Sequence, residues 1–151
     1  MTDDIPPLLP PEDMPPIRNQ QDLHQHWRAL MGPLGFAQAT LWLQFVTVDD
    51  RVDGLITRID DLPNRPDVRL LENLLMICGE VLDNEVPGGR VAFLYSRPGP
   101  RRVTDDDRAW ARGLRAAAKK AGVPCAPIHL ANDEQLQVFA PDDLGLPESA
   151  A

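Results

Sequence analysis

Apolar positions along the chain fall into runs whose spacing alternates between helical and extended. Over residues 19–31, Leu23, Trp27, Leu30 and Met31 share one helical face, and Gly32-Pro33 ends the run. Residues 36–48, FAQATLWLQFVTV, alternate in part and are rich in aromatic and β-branched residues, which predicts a strand. Residues 49–54 supply a turn and residues 55–59 a second strand, so the two form a hairpin. After a proline-containing loop, residues 68–83 set Leu71, Leu74, Leu75, Cys78, Val81 and Leu82 on a broad apolar face, a core helix.

The next stretch, residues 90–121, organises the rest. Residues 91–95, VAFLY, form a continuous apolar run between Gly88-Gly89 and Pro98-Gly99-Pro100, the pattern of a strand buried on both faces. The prolines stop the strand because they remove backbone donors. Thr104 then opens a helix. Its hydroxyl is placed to accept from the amide of Asp107, and Asp105, Asp106 and Asp107 put negative charge at the positive end of the helix dipole. Trp110, Leu114, Ala117, Ala118 and Ala121 share a face, and Gly122 with Pro124 ends the helix. Residues 126–130 and 135–139 read as short strands joined at Asn132-Asp133. The order α, β, β, α, β, α, β, β predicts an α/β (α+β) fold. Its mixed β-sheet has about five strands, a hairpin at its start and about three flanking helices.

Residues 1–17 hold six of the sixteen prolines and show no periodicity, so they read as a mobile, acidic, polyproline-like arm. Residues 18–141 make one domain, and residues 142–151 a flexible acidic tail. The net charge of −8 sits mostly at these ends: −4 over residues 1–17 and −3 over residues 142–151. The body is near neutral, which leaves room for a basic face. No apolar run is long enough for a membrane span, and the start of the chain has neither signal nor transit character. Cytoplasmic is the expected location. Cys78 and Cys125 lie apart in apolar stretches and read as buried free thiols.

The strand–loop–helix junction and the element order resemble the JAB/MPN metalloprotease-like domain, in its RadC-like branch. There a strand ends in His-x-His, a Pro/Gly loop follows, and a Ser or Thr opens a helix with Asp three residues on. The resemblance covers roughly residues 36–140. It sets Leu94 and Ser96 at the two histidine positions, Thr104 at the hydroxyl and Asp107 at the aspartate. Leucine cannot bind zinc and serine binds it poorly. Residues 34–48 contain no Glu to serve as the family's general base. The resemblance therefore implies a JAB-like domain that lacks its catalytic chemistry, with no metal and no cofactor. Asp107 is expected to serve as a helix cap.

Other constellations carry less. His24 and His26 lie two apart on a helix, about 200° apart in direction, and read as a surface pair. His129 stands alone in a strand. A hydrolase with an altered metal site built from Asp107, His129 or Asp133 is an open alternative. Arg108, Arg112, Arg115 and Lys119 recur at i, i+4, i+7 and i+11, a basic stripe on the long helix, with Arg97, Arg101 and Arg102 in the loop before it. The plain reading is a solvated face paired to Asp105 and Asp106. Read as functional, the stripe takes an acidic protein partner, with nucleic acid as the alternative. The chain's own acidic arm is a further candidate to lie on it. Aromatic content is only 5%, and no aromatic interleaves the stripe, which argues against base stacking. The expected role is a non-enzymatic protein-interaction or regulatory module, and a homodimer remains open.

Overall fold

A computed structural model describes residues 5–100, 102–140, 143 and 144. The observed elements are α1 (Gln20–Met31), β1 (Thr40–Val46), β2 (Val52–Ile59), α2 (Val68–Glu85), β3 (Arg90–Ser96), α3 (Asp105–Ala121), β4 (His129–Ala131) and β5 (Leu136–Val138). The strands form one mixed sheet in the order β2-β1-β3-β4-β5. β1 runs antiparallel to β2 and β3, β3 and β4 are parallel, and β4 and β5 antiparallel. This is the α+β architecture that the element order predicts.

Strand alternation divides the core into two layers. Leu41, Leu43 and Phe45 of β1 and Val91, Phe93 and Tyr95 of β3 pack with α2 and α3. Ala92 and Leu94 of β3 and Val46 of β1 pack instead with Leu23 and Trp27 of α1. β3 is therefore buried on both faces, as its apolar run requires. Gly89 lets the chain enter β3 tightly: a Cβ there would lie 2.4 Å from the carbonyl oxygen of Val46.

Element boundaries differ from the expected ones where prolines and turns intervene. β1 begins at Thr40, not residue 36, and β2 already begins at Val52 because Asp50, at φ 65°, tightens the turn. β4 begins at His129, not residue 126. Pro124 and Pro127 lack amide donors, so a regular ladder forms only beyond them. Asn132 and Asp133 do form the turn into β5. Asn132 Oδ1 accepts from the amides of Glu134 and Gln135.

The proline-rich segment does not stand off as a mobile arm where it is described. Met14 and Ile17 are buried in the α1 layer. Ile17 N donates to Asp50 O at 2.7 Å, Arg90 Nη2 donates to Ile17 O at 2.7 Å, and Arg51 Nη2 donates to Glu12 O at 2.8 Å. Two arginines from the hairpin region and β3 thus hold a segment that has no ladder of its own. Residues 1–4 lie outside the described residues.

Candidate functional site

The junction after β3 is built locally as its residues dictate. Thr104 Oγ1 accepts from Asp107 N at 3.1 Å, and Asp107 Oδ2 accepts from Thr104 N at 2.9 Å, a complete capping box. Gly122, at φ 68°, closes α3 in the left-handed conformation. Asp107 does cap the helix, and it does a second job as well.

Arg97 meets Asp107 with a two-point grip. Nε donates to Oδ1 at 2.7 Å and Nη2 to Oδ2 at 2.6 Å. The same guanidinium donates to the carbonyls of Pro98, Pro100 and Arg102. Asp107 is fully buried and the Arg97 side chain is 12% exposed. One arginine thereby ties the end of β3, the Pro/Gly loop and the start of α3 together. Asp107 holds the Arg97 proton above its ordinary range, against the opposing effect of burial.

Leu94 and Ser96 do not join Asp107. Both are fully buried. Leu94 belongs to the α1 layer. Ser96 Oγ accepts from Trp42 Nε1 at 2.9 Å and bonds Thr40 O at 3.4 Å. The positions on the Asp107 side are Tyr95 and Arg97, one residue later. Tyr95 stacks on Trp110 of α3, with ring centroids 5.5 Å apart. Burial pushes its phenol up to about 12, and the Asp107 charge adds to that. A strand alternates its faces residue by residue, so this one-residue offset moves the expected histidine positions to the opposite side of the sheet.

The remaining candidates are dispersed. Asp133 accepts from Phe36 N at 2.9 Å and Gly99 N at 2.8 Å, and these bonds hold its carboxyl below the usual range. His26 Nε2 bonds Gln44 Oε1 at 2.6 Å, so this histidine is buried, not on the surface. His24 turns to a different strand, with its ring 5.9 Å from that of His129. The two helix histidines thus point apart, as their spacing requires. No three His, Cys, Asp or Glu side chains group to hold a metal ion among the described residues.

His129 is fully buried, with Nδ1 bonded to Pro127 O at 3.1 Å. Burial pushes its pKa down to about 4 from 6.5. The unfolded chain takes up this proton below about pH 6.5, whereas the folded chain resists until about pH 4. Stability is therefore full above the higher value and lost as pH falls toward the lower, by about 3 kcal/mol at most. Burial lowers His26 in the same direction. Urea unfolding at pH 7 and at pH 4.5 is expected to show this loss, reduced in His129→Gln. An equal loss in that variant would contradict the assignment.

The basic stripe divides into two halves. Arg108 Nε donates to Asp143 Oδ1 at 3.0 Å and Nη1 to Asp105 Oδ1 at 3.0 Å. Arg112 Nε donates to Asp143 O at 2.8 Å. The chain's own tail, not its N-terminal arm, lies on this half. Asp106 pairs with Arg65 rather than with the stripe. Arg115 and Lys119, the other half, have no ion pair among the described residues, and both line a cleft of about 410 Å³. Val123, Ile128, Val138 and Phe139 supply apolar lining, and Leu144 closes one side. Gln20 of α1 also reaches it. Burial pushes the Cys125 thiol in its wall up to about 12, which keeps that sulfur protonated and unreactive. Arg97 is consumed by Asp107, Arg102 contributes its carbonyl to Arg97, and Arg101 lies outside the described residues. Of the loop arginines, Arg97 therefore does not extend the stripe as expected.

The sequence located the stripe but not the cleft, because its apolar lining joins the segment just after α3 to the end of β5, ten or more residues further on. No family model matches the chain, and no curated protein matches it significantly. No helix among the described residues is long and apolar enough to cross a membrane.

Proposed function

We propose that this chain is a non-enzymatic protein-interaction module that receives an acidic, extended segment of a protein partner in the cleft between α3 and β4–β5. One observation carries the reading. Asp143 and its backbone already lie along Arg108 and Arg112, so half of the stripe holds an acidic segment, and Arg115 and Lys119 repeat that chemistry beside an apolar floor. An Asp-Leu unit like Asp143-Leu144 fits both parts, with the acid on the cations and the aliphatic group on the floor. The reading keeps the relationship to a JAB/MPN-like, RadC-like frame without its catalytic groups. The element order and a sheet with its hairpin at one edge support that relationship, while the seat of Leu94 and Ser96 across the sheet from Asp107 counts against it at the metal-site positions. A cytoplasmic setting fits Cys78 and Cys125, both free thiols.

Fluorescence anisotropy with a labelled peptide of repeated Asp-Leu units tests the proposal. Binding is expected at low salt and weakens as salt rises. Arg115→Glu with Lys119→Glu is expected to lower affinity roughly tenfold or more, because like charges then face the peptide. Failure to bind at low salt would overturn the reading. Tighter binding of a single-stranded DNA oligonucleotide would replace it with the nucleic-acid alternative.

A further inference from the structure

α2 carries two apolar stripes, and the core uses only one. Leu71, Leu75, Cys78 and Leu82 are buried against β1, β3 and α3. One position earlier on each turn lies a second stripe of Leu70, Leu74, Ile77 and Val81. Leu74 and Val81 sit half-buried at its border with the core, while Leu70 is 53% and Ile77 55% exposed. Met76, on the solvent side of Ile77, is 55% exposed. A single exposed leucine needs no account, but four apolar residues in line along one helix do.

The spacing is 4, 3, 4, that of a helix–helix seam. It is also symmetric about the midpoint between Leu74 and Ile77. A two-fold axis there sets Leu70 against Val81 of the partner subunit, and Leu74 against Ile77 of the partner subunit. Arg69 and Glu80 lie on the same flank of the seam, each about a quarter-turn round the helix from it. Arg69 stands at the start of the helix and Glu80 toward its end, while Asp83 turns to the opposite side, toward α3. Among the described residues neither Arg69 nor Glu80 is held by an ion pair within the chain. An antiparallel partner helix brings Arg69 within reach of Glu80 of the partner subunit at both ends. A parallel one would leave the two about 16 Å apart along the seam.

We propose that a second copy of this chain packs on α2, antiparallel, through Leu70, Leu74, Ile77 and Val81. The 18 residues of α2 give a contact about 27 Å long. One helix from each copy buries less than the ~1,200 Å² of standard interfaces, so the dimer is weak and depends on concentration. The contact is isologous, so it closes at two copies and does not propagate.

Sedimentation of the full chain across the micromolar range tests this. The mass is expected to rise from 16.8 kDa toward twice that value with concentration. Ile77→Glu is expected to stay monomeric with an unchanged Tm, since that side chain is half-exposed. Arg69→Glu alone is expected to weaken the dimer roughly two- to thirtyfold, two exposed pairs being lost per dimer. Adding Glu80→Lys to Arg69→Glu is expected to restore it. A monomer at every concentration, a dimer that survives Ile77→Glu, or a failed restoration would each overturn the proposal. Binding of the Asp-Leu peptide by Ile77→Glu is expected to be unchanged, so this seam and the cleft fail or stand separately.

Discussion

Replacing Arg97 by alanine is expected to destabilise the chain by about 3–5 kcal/mol, because it leaves the Asp107 carboxylate buried without its counter-ion. For a chain of this length that corresponds to a Tm lower by roughly 6–20 °C. The loss exceeds that of the exposed pairs. The carboxylate is fully buried, and three loop carbonyls lose their donor along with it. Thermal melting of Arg97→Ala, Asp107→Ala and the double variant is the check. The double variant is expected to be far less destabilised than the two single losses added together, since neither charge then remains unpaired. Additive losses would mean that the two side chains act independently.

Placing histidines at Leu94 and Ser96 is expected to cost about 3–5 kcal/mol in total and to create no zinc site with Asp107. Both positions are fully buried, Leu94 against the α1 layer. Each imidazole would enter a space filled by apolar side chains, and the Trp42–Ser96 hydrogen bond would be lost. Asp107 would stay with Arg97, across the sheet from the new rings. Thermal melting with and without added zinc reads both effects. A rise in Tm on adding zinc to this variant that is abolished by Asp107→Ala would mean that the three positions converge after all. One that survives Asp107→Ala would place zinc on His129 and His24, on the same face as position 94.

The order of elements was legible because the signals that set it are local. Gly-Pro, Pro-Gly and Asn-Asp breaks separate the apolar runs, and the box of Thr104 and Asp107 closes within four residues. The partner of Asp107 was not legible. It depends on whether Leu94 or Tyr95 faces α3, and a run apolar on both faces carries no alternation from which to read that parity. Arg97, read as a loop arginine free to meet a partner, is instead the group that closes the junction. The seat of Met14 and Ile17 was hidden for a different reason. Arginines from other parts of the chain hold that segment, so its own residues show no period. The contact of Asp143 with the stripe links residues 31 and 35 positions apart, beyond any local rule. What the stripe did announce was its spacing, and that survives unchanged on α3.

The junction is occupied by its own ion pair, and the proposed recognition surface is the outer side of α3. The two halves of the stripe then differ in kind: Arg108 and Arg112 bind the tail, while Arg115 and Lys119 border open, apolar space.

The most direct test is a backbone amide NMR titration of the full chain with the Asp-Leu peptide. The largest shifts are expected at residues 115–128 and 138–144, around the cleft. Largest shifts in the loop and helix start at residues 97–107, on α1 or on α2 would contradict the assignment of the binding face.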